Sequence, residues 1–185
     1  CLVLNGDVPL ISSEALTQLV RICREQAAAL GFASIEPDDP TGYGRVLRQG
    51  DGTVAAVVEE KDLAHHSFDQ PLQEVNAGLY CLHVPTIGRY LQGLSQNNAQ
   101  GEYYITELID VCVQAGERVV AQNYGRDNNF LGVNSSRELI ACEALLQKRI
   151  NSQLLESGCI LRNPDQVRIS PLARIHPGVE ITGPA

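Results

Sequence analysis

No stretch of the sequence approaches the roughly 20 consecutive apolar residues of a membrane-spanning helix, so no membrane partner is expected. The first residues carry no charged-then-apolar pattern, so secretion is not expected and the cytoplasm is the expected compartment. Basic residues are scarce, with 14 Lys and Arg against 22 Asp and Glu and a net charge of -8. That balance leaves no basic face for a nucleic-acid polymer. A small anionic ligand remains admissible, because a divalent ion and backbone amides supply local positive potential. There is no C-x-x-C pair among Cys1, Cys23, Cys81, Cys112, Cys142 and Cys159; most of them lie in apolar runs and are expected to be reduced core residues. None of His65, His66, His83 and His176 is spaced from a carboxylate as a metal motif requires, and the first two sit in a polar stretch expected to be a surface loop. No Ser–His–Asp or Cys–His arrangement suggests a protein nucleophile.

What the sequence does have is 185 residues with 44% hydrophobic content, enough for one sizeable core or for one core plus an appendage. "CLVL" reads as a buried strand. It has no turn or cap before it, and further chain is expected upstream. Ser12 or Ser13 is placed to cap a helix through about Gln26. "GFASIE" reads as a strand and "PDDPTGYGR" as a loop. "RVLRQGDGTVAAVVEE" reads as a hairpin turning at Gln49 to Gly52, and "LQEVNAGLYCLHV" as a strand. Helices are expected over residues 85–94 and from about Thr106 to Gly116, with "RVVAQNY" a strand after them. "FLGVN" is strand-like, and Ser135 or Ser136 begins a long amphipathic helix ending at Gly158. Strands alternating with helices predict an α/β sheet covered on both faces.

The end of the chain follows another period. Ile169, Ile175 and Ile181 recur every six residues, with Ala173, Val179 and Ala185 four after each. Six fits neither a helix nor a plain strand, but fits a three-sided parallel β-helix whose aliphatic residues point into the prism. One coil cannot bury both of its ends, so further repeats are expected beyond Ala185.

Several stretches are suited to chemistry. In "LVLNGDVPL" an apolar strand ends at Asn5-Gly6, with Asp7 at the carboxyl edge where α/β sheets gather ligands. Gly6 permits close backbone approach, and an isolated carboxylate there suits Mg²⁺ with its hard oxygen ligands. The same stretch reads equally as a turn shaped by Asp7 and Pro9. In "FLGVNSS" the amide oxygen of Asn134 is a candidate second ligand, or Asn134 is a helix cap. Gly42 and Gly44 in "DPTGYGR" leave backbone groups bare for a ligand, or merely turn the chain. Glu59 stands at a strand end where a carboxylate accepts bonds from sugar hydroxyls, or is solvated. Asn76, followed by Ala77-Gly78, both donates and accepts, which matches an N-acetyl group or a hydroxyl. The bend "NNAQGEYYITELID" (residues 97–110) concentrates neutral hydrogen-bonding groups and suggests a polar, largely uncharged ligand such as a sugar. A metal, amides and backbone act by positioning and charge neutralisation, as in phosphoryl-group transfer.

Taken together, "GDVPLI", "DPTGYGR", "VVEEKD", "EVNAGLY", "NNAQGEYYITE" and "GVN" resemble the bacterial bifunctional N-acetylglucosamine-1-phosphate uridylyltransferase / glucosamine-1-phosphate acetyltransferase family, in order and spacing over the whole chain. The resemblance implies a nucleotide-diphospho-sugar transferase fold, a Rossmann-like mixed sheet, over 1–134. A linker helix and connection over 135–166 and the first coil of a left-handed parallel β-helix over 167–185 would follow. It implies Mg²⁺ held by Asp7 and Asn134, Asn5 and Gly6 on the nucleotide side, and Gly44, Glu59 and Asn76 on the sugar. Tyr104 and Thr106 would border the acetyl pocket. The implied ligands are UTP, N-acetylglucosamine 1-phosphate and UDP-N-acetylglucosamine, and the implied assembly is a homotrimer through the β-helix. The family's Gly-rich triphosphate loop, its basic residue and its uracil-reading stretch do not occur in these 185 residues, nor do its acetyltransferase residues, so neither activity is expected of this stretch alone. Two alternatives stay open: another hexose-1-phosphate nucleotidyltransferase with a β-helix tail, and a non-catalytic sugar-nucleotide-binding subunit.

Overall fold

The structure is a computed structural model that describes residues 1–65, 72–96 and 98–185; His66, expected in a surface loop, and Asn97 of the polar bend lie outside the described residues. The chain forms two compact units, Cys1–Gly132 and Val133–Ala185.

The first unit is built on a six-stranded mixed sheet. Strands β1 (Leu2–Leu4), β2 (Leu30–Ile35), β3 (Arg45–Arg48), β4 (Val54–Val58), β5 (Val75–Leu82) and β6 (Val119–Asn123) follow in chain order. The path across the sheet is β4-β3-β5-β2-β6, with β1 also pairing β5. Only β2 and β6 run parallel; the other pairs are antiparallel. β2 lies between two neighbours and all six of its residues are buried. Its side chains divide by strict alternation. Ala33 and Ile35 join Ala15, Leu19 and Cys23 of α1 (Ser13–Glu25), together with Val75, Ala77 and Leu79 of β5. Leu30 and Phe32 face the other way, onto Tyr80 and onto Leu108, Ile109 and Cys112 of α3 (Glu107–Gln114). Helices thus cover both faces, as the alternating pattern requires. The hairpin turns where expected, with the Gly52 amide donating to the Gln49 carbonyl (2.9 Å).

Three local expectations need correction. The helix expected over 85–94 is a single turn, α2 (Val84–Ile87), then a 3-10 turn at Leu91–Gly93; Gly88 and Gly93 have too little helix propensity to carry it further. "FLGVN" is not a strand: a 3-10 turn, Asn128–Phe130, buries Phe130 and the chain then runs irregularly. Cys1 is exposed, while Cys23, Cys112, Cys142 and Cys159 are buried and Cys81 is half-buried; all six are free thiols. Burial, with Cys81 alongside, pushes the Cys23 thiol up to about 12.

The second unit opens with α4 (Ser136–Glu156) and holds a parallel strand pair, β7 (Ile160–Arg162) and β8 (Glu180–Thr182), in which Leu161 opposes Ile181. Asn151, buried on α4, donates to the carbonyls of Pro164 (2.8 Å) and Val167 (3.1 Å), fixing the turn beyond β7 to the helix. Ile169, Ile175 and Ile181 are half-buried, whereas Ala173, Val179 and Ala185 are exposed. Among the described residues no helix is long and apolar enough to cross a membrane.

Candidate active site

Five strand ends of the first unit meet at one edge of the sheet. β1 and β2 finish there, β5 and β3 begin there, and β4 finishes beside the start of β3, because Arg45 pairs with both Val75 and Val58. This geometry gathers Asn5, Gly6 and Asp7 after β1, Gly44 before β3, Glu59 after β4 and Asn76 near the start of β5. Residues spread over some seventy sequence positions therefore occupy one rim.

Backbone pairing holds the rim together. The Asn5 amide donates to the Gly78 carbonyl (2.9 Å), and the Asn76 amide donates to the Gly44 carbonyl (2.8 Å). The Asn5 side chain lies across Gly78, where a Cβ would stand 2.3 Å from Asn5 Nδ2, and Gly78 has φ +70°. Both facts demand glycine. Gly44 is needed for close approach: a Cβ there would meet Glu59 Oε2 at 3.2 Å and Val57 Cγ1 at 3.1 Å. The bare backbone lets the Glu59 carboxylate lie against the loop. Its other oxygen, Oε1, accepts from Thr106 Oγ1 (2.7 Å), and Thr106 is 2% exposed. Thr106 does stand at the start of α3, as expected, but its hydroxyl makes no cap bond and orients Glu59 instead.

Asn76 is held by its own strand. Its Nδ2 donates to Tyr80 Oη (2.6 Å), and its Oδ1 accepts from the Gly78 amide (3.3 Å). Tyr80 is fully buried, and that burial raises its phenol above the ordinary range, so it stays protonated. Nothing in the sequence reading pointed to Tyr80.

The polar bend behaves differently from the expectation that its amides face a ligand. Asn98 accepts from the amides of Gln100 and Glu102 (both 3.2 Å) and donates to the Glu102 carbonyl (2.6 Å). Asp62 anchors the loop by accepting from the Ala99 amide (3.0 Å). Asn98 therefore shapes the bend rather than lining it with free groups. The bend closes one side of a cavity of about 390 Å³ whose wall includes Val58, Glu59, Asp62, Asn98, Tyr104 and Thr106. The Tyr104 hydroxyl is buried there, with no hydrogen bond of ordinary geometry to a side chain among the described residues and the Gln100 backbone close by. His65 is exposed at the end of a 3-10 stretch, Glu60–His65, and reaches the rim of the same cavity.

Asp7 is exposed while Val8 and Leu10 are buried, so the chain after β1 is anchored by apolar side chains that turn the carboxylate outward. Asp7 bonds to none of the described residues, and the position above Gly6 is open. A hard, unengaged oxygen donor in open space fits a divalent ion such as Mg²⁺. Asn134 belongs to the second unit. It is not the helix cap: Ser135 Oγ accepts from the Glu138 amide (3.3 Å), and Glu138 accepts from the Asn134 amide (2.7 Å) and from Ser135 Oγ (3.0 Å). This capping box leaves the Asn134 side-chain amide without a partner among the described residues.

Residues 1–128 match the family described as nucleotidyl transferase. Over 182 residues the chain is 40% identical to the bifunctional protein GlmU of Nitratidesulfovibrio vulgaris (strain DP4), an alignment covering 98% of this chain and 39% of that protein. Over 190 residues it is 34% identical to the bifunctional protein GlmU of Bacillus velezensis (strain DSM 23117 / BGSC 10A6 / LMG 26770 / FZB42), covering 100% of this chain and 41% of that one. The chain thus spans well under half the length of the curated relatives it matches. A solved CMP:2-keto-3-deoxy-manno-octonic acid synthetase complexed with CTP superposes with a TM-score of 0.54 at 14% identity, over 80% of this chain and 61% of that chain, a likeness of fold. The mixed sheet, the rim at its strand ends and the match over the first unit agree: the chain belongs to the nucleotidyl transferase family.

Proposed function

We propose that the protein is an N-acetylglucosamine-1-phosphate uridylyltransferase, joining UTP and N-acetylglucosamine 1-phosphate into UDP-N-acetylglucosamine with release of pyrophosphate. The reading is supported by the names of its relatives and rests on one observation: Gly44, Glu59 and Asn76 converge on the rim where Asn5, Gly6 and Asp7 leave β1. In this reading Glu59 accepts from sugar hydroxyls, and Asn76 and the bare backbone at Gly44 hold the rest of the ring. Tyr104 and Thr106 border the pocket for the acetyl group. Asn5 and Gly6 face the nucleotide.

A phosphate oxygen of the sugar phosphate attacks the α-phosphorus of UTP. The new P–O bond forms as the bond to the β-phosphate breaks, and pyrophosphate leaves. When bound, Mg²⁺ would supply charge neutralisation on the phosphate oxygens, and in the first unit Asp7 is the residue that would hold it. The chain's other residues contribute position, with no covalent step on the protein. The same reading makes residues 1–134 part of the uridylyltransferase domain and 135–166 a linker, with 167–185 the start of a left-handed parallel β-helix. That β-helix would carry glucosamine-1-phosphate acetylation and a homotrimer in a cytoplasmic enzyme of cell-wall precursor synthesis.

The test is pyrophosphate release from full-length protein with UTP and a panel of sugar 1-phosphates. Turnover with N-acetylglucosamine 1-phosphate well above that with glucose 1-phosphate is expected. Equal turnover with both, or none with either, would overturn the assignment.

A further inference from the structure

β5 is not a regular strand. Phe32 of β2 opposes Tyr80, but Ser34 opposes Asn76, so the register shifts and two steps along β2 match four along β5. The extra residues are taken up where Gly78 adopts φ +70°, a β-bulge. In a regular strand residues four apart lie about 13 Å apart. The bulge shortens that span, and with no side chain at Gly78 between them Tyr80 reaches back to Asn76, Oη to Nδ2 at 2.6 Å.

A carboxamide offers two N–H donors and two acceptor lone pairs. Here one donor is committed to Tyr80 and one lone pair to the Gly78 amide. One N–H and one lone pair remain, in a fixed arrangement. A 180° flip of the amide would set an N–H donor against the Gly78 amide, itself a donor, so Gly78 selects the facing, while the Tyr80 hydroxyl, donor and acceptor at once, anchors the amide there. Tyr80 itself is locked by burial among Phe32, Leu108 and Ile109.

We propose that Tyr80 is a positioning residue for sugar recognition: its hydroxyl holds the Asn76 carboxamide in place, in the orientation that the Gly78 amide selects, and so sets which sugar groups Asn76 can reach. This rests on the reading of Asn76 as a sugar contact. Tyr80 does not touch the ligand; it acts through Asn76.

The test combines ¹⁵N NMR of the Asn76 side chain with titration of N-acetylglucosamine 1-phosphate, in the wild type and in Tyr80→Phe, which keeps the buried ring. In the wild type one Asn76 side-chain proton is expected to exchange slowly with solvent before any ligand is added. In Tyr80→Phe that protection is lost and the dissociation constant rises about three- to tenfold, the worth of one such hydrogen bond, while the backbone spectrum away from β5 is unchanged. Fast exchange of both Asn76 protons in the wild type, or an unaltered dissociation constant in Tyr80→Phe, overturns the positioning role. If the wild type binds the sugar phosphate without moving the Asn76 signals, the sugar-contact reading fails, and the proposal with it. Binding that moves those signals equally in both proteins refutes the role of Tyr80 alone.

Discussion

Asp7 and Glu59 are both carboxylates at strand ends, yet they are prepared for different work. Glu59 is held on one side by Thr106 and on the other by the bare backbone of Gly44. Asp7 bonds to none of the described residues and is exposed. A group fixed in place suits recognition of a ligand of set shape, whereas a free hard oxygen suits an ion that brings its own waters. In the full-length protein Asp7→Ala should therefore lower kcat for uridylyl transfer about 100-fold or more, the scale of losing a charge-stabilising group, with an unchanged melting temperature. Turnover near wild type at saturating Mg²⁺ would contradict this. Gly78 serves the rim differently, since its backbone conformation and the overlying Asn5 both exclude a side chain. Gly78→Ala should cost about 1–3 kcal/mol, read as a lowered denaturant midpoint. Asn5 and Glu59 stood out in the sequence at strand ends, Gly44 as a loop glycine and Asn76 as an amide beside a small pair. Tyr80 did not, because spacing by four along a strand does not announce a contact unless the bulge is known. The hydroxyl of Thr106 was equally hidden, since its partner lies 47 residues away and local pattern reports only the helix start.

At the scale of elements, helix starts followed from capping chemistry. Ser12 accepts from the Ala15 amide (3.2 Å) at α1, and Ser135 with Glu138 closes the start of α4. Ser135→Ala should cost α4 about 1 kcal/mol, seen as faster amide exchange at its first turn. The Asn134 amide and the Ser135 hydroxyl hold the Glu138 carboxyl below the ordinary carboxylate range. A depressed folded value means the stabilisation is present above the unfolded value of about 4.3 and is lost as pH falls through the folded one. Protection at residues 136–139 should therefore fade on acidification below about pH 4, and a pH-independent first turn would contradict it. Elements lacking such chemistry were misread. A helix was expected over residues 85–94, but two glycines divide it. In the polar bend, read as holding a ligand such as a sugar, Asn98 satisfies the loop's own backbone, as such side chains do in tight turns.

At the scale of the first unit, sheet topology explains why the candidate site residues Asn5, Gly6, Asp7, Gly44, Glu59 and Asn76 collect at one rim. Antiparallel pairing of β5 with β1, β2 and β3 brings strand starts and strand ends to the same side. Polar residues can gather there without entering either apolar layer. The alternation of strands and helices made a covered α/β sheet legible, but the long-range pairing that selects this rim is not written in any local period. The central claim is that the rim binds an N-acetylated sugar phosphate through Glu59. It is tested most directly by calorimetric titration of N-acetylglucosamine 1-phosphate into the wild type and into Glu59→Gln, which keeps the shape and removes the charge. The account predicts binding by the wild type and a dissociation constant about tenfold or more weaker in the variant, the scale of a hydrogen bond to a charged group; equal affinity in the two proteins would contradict it.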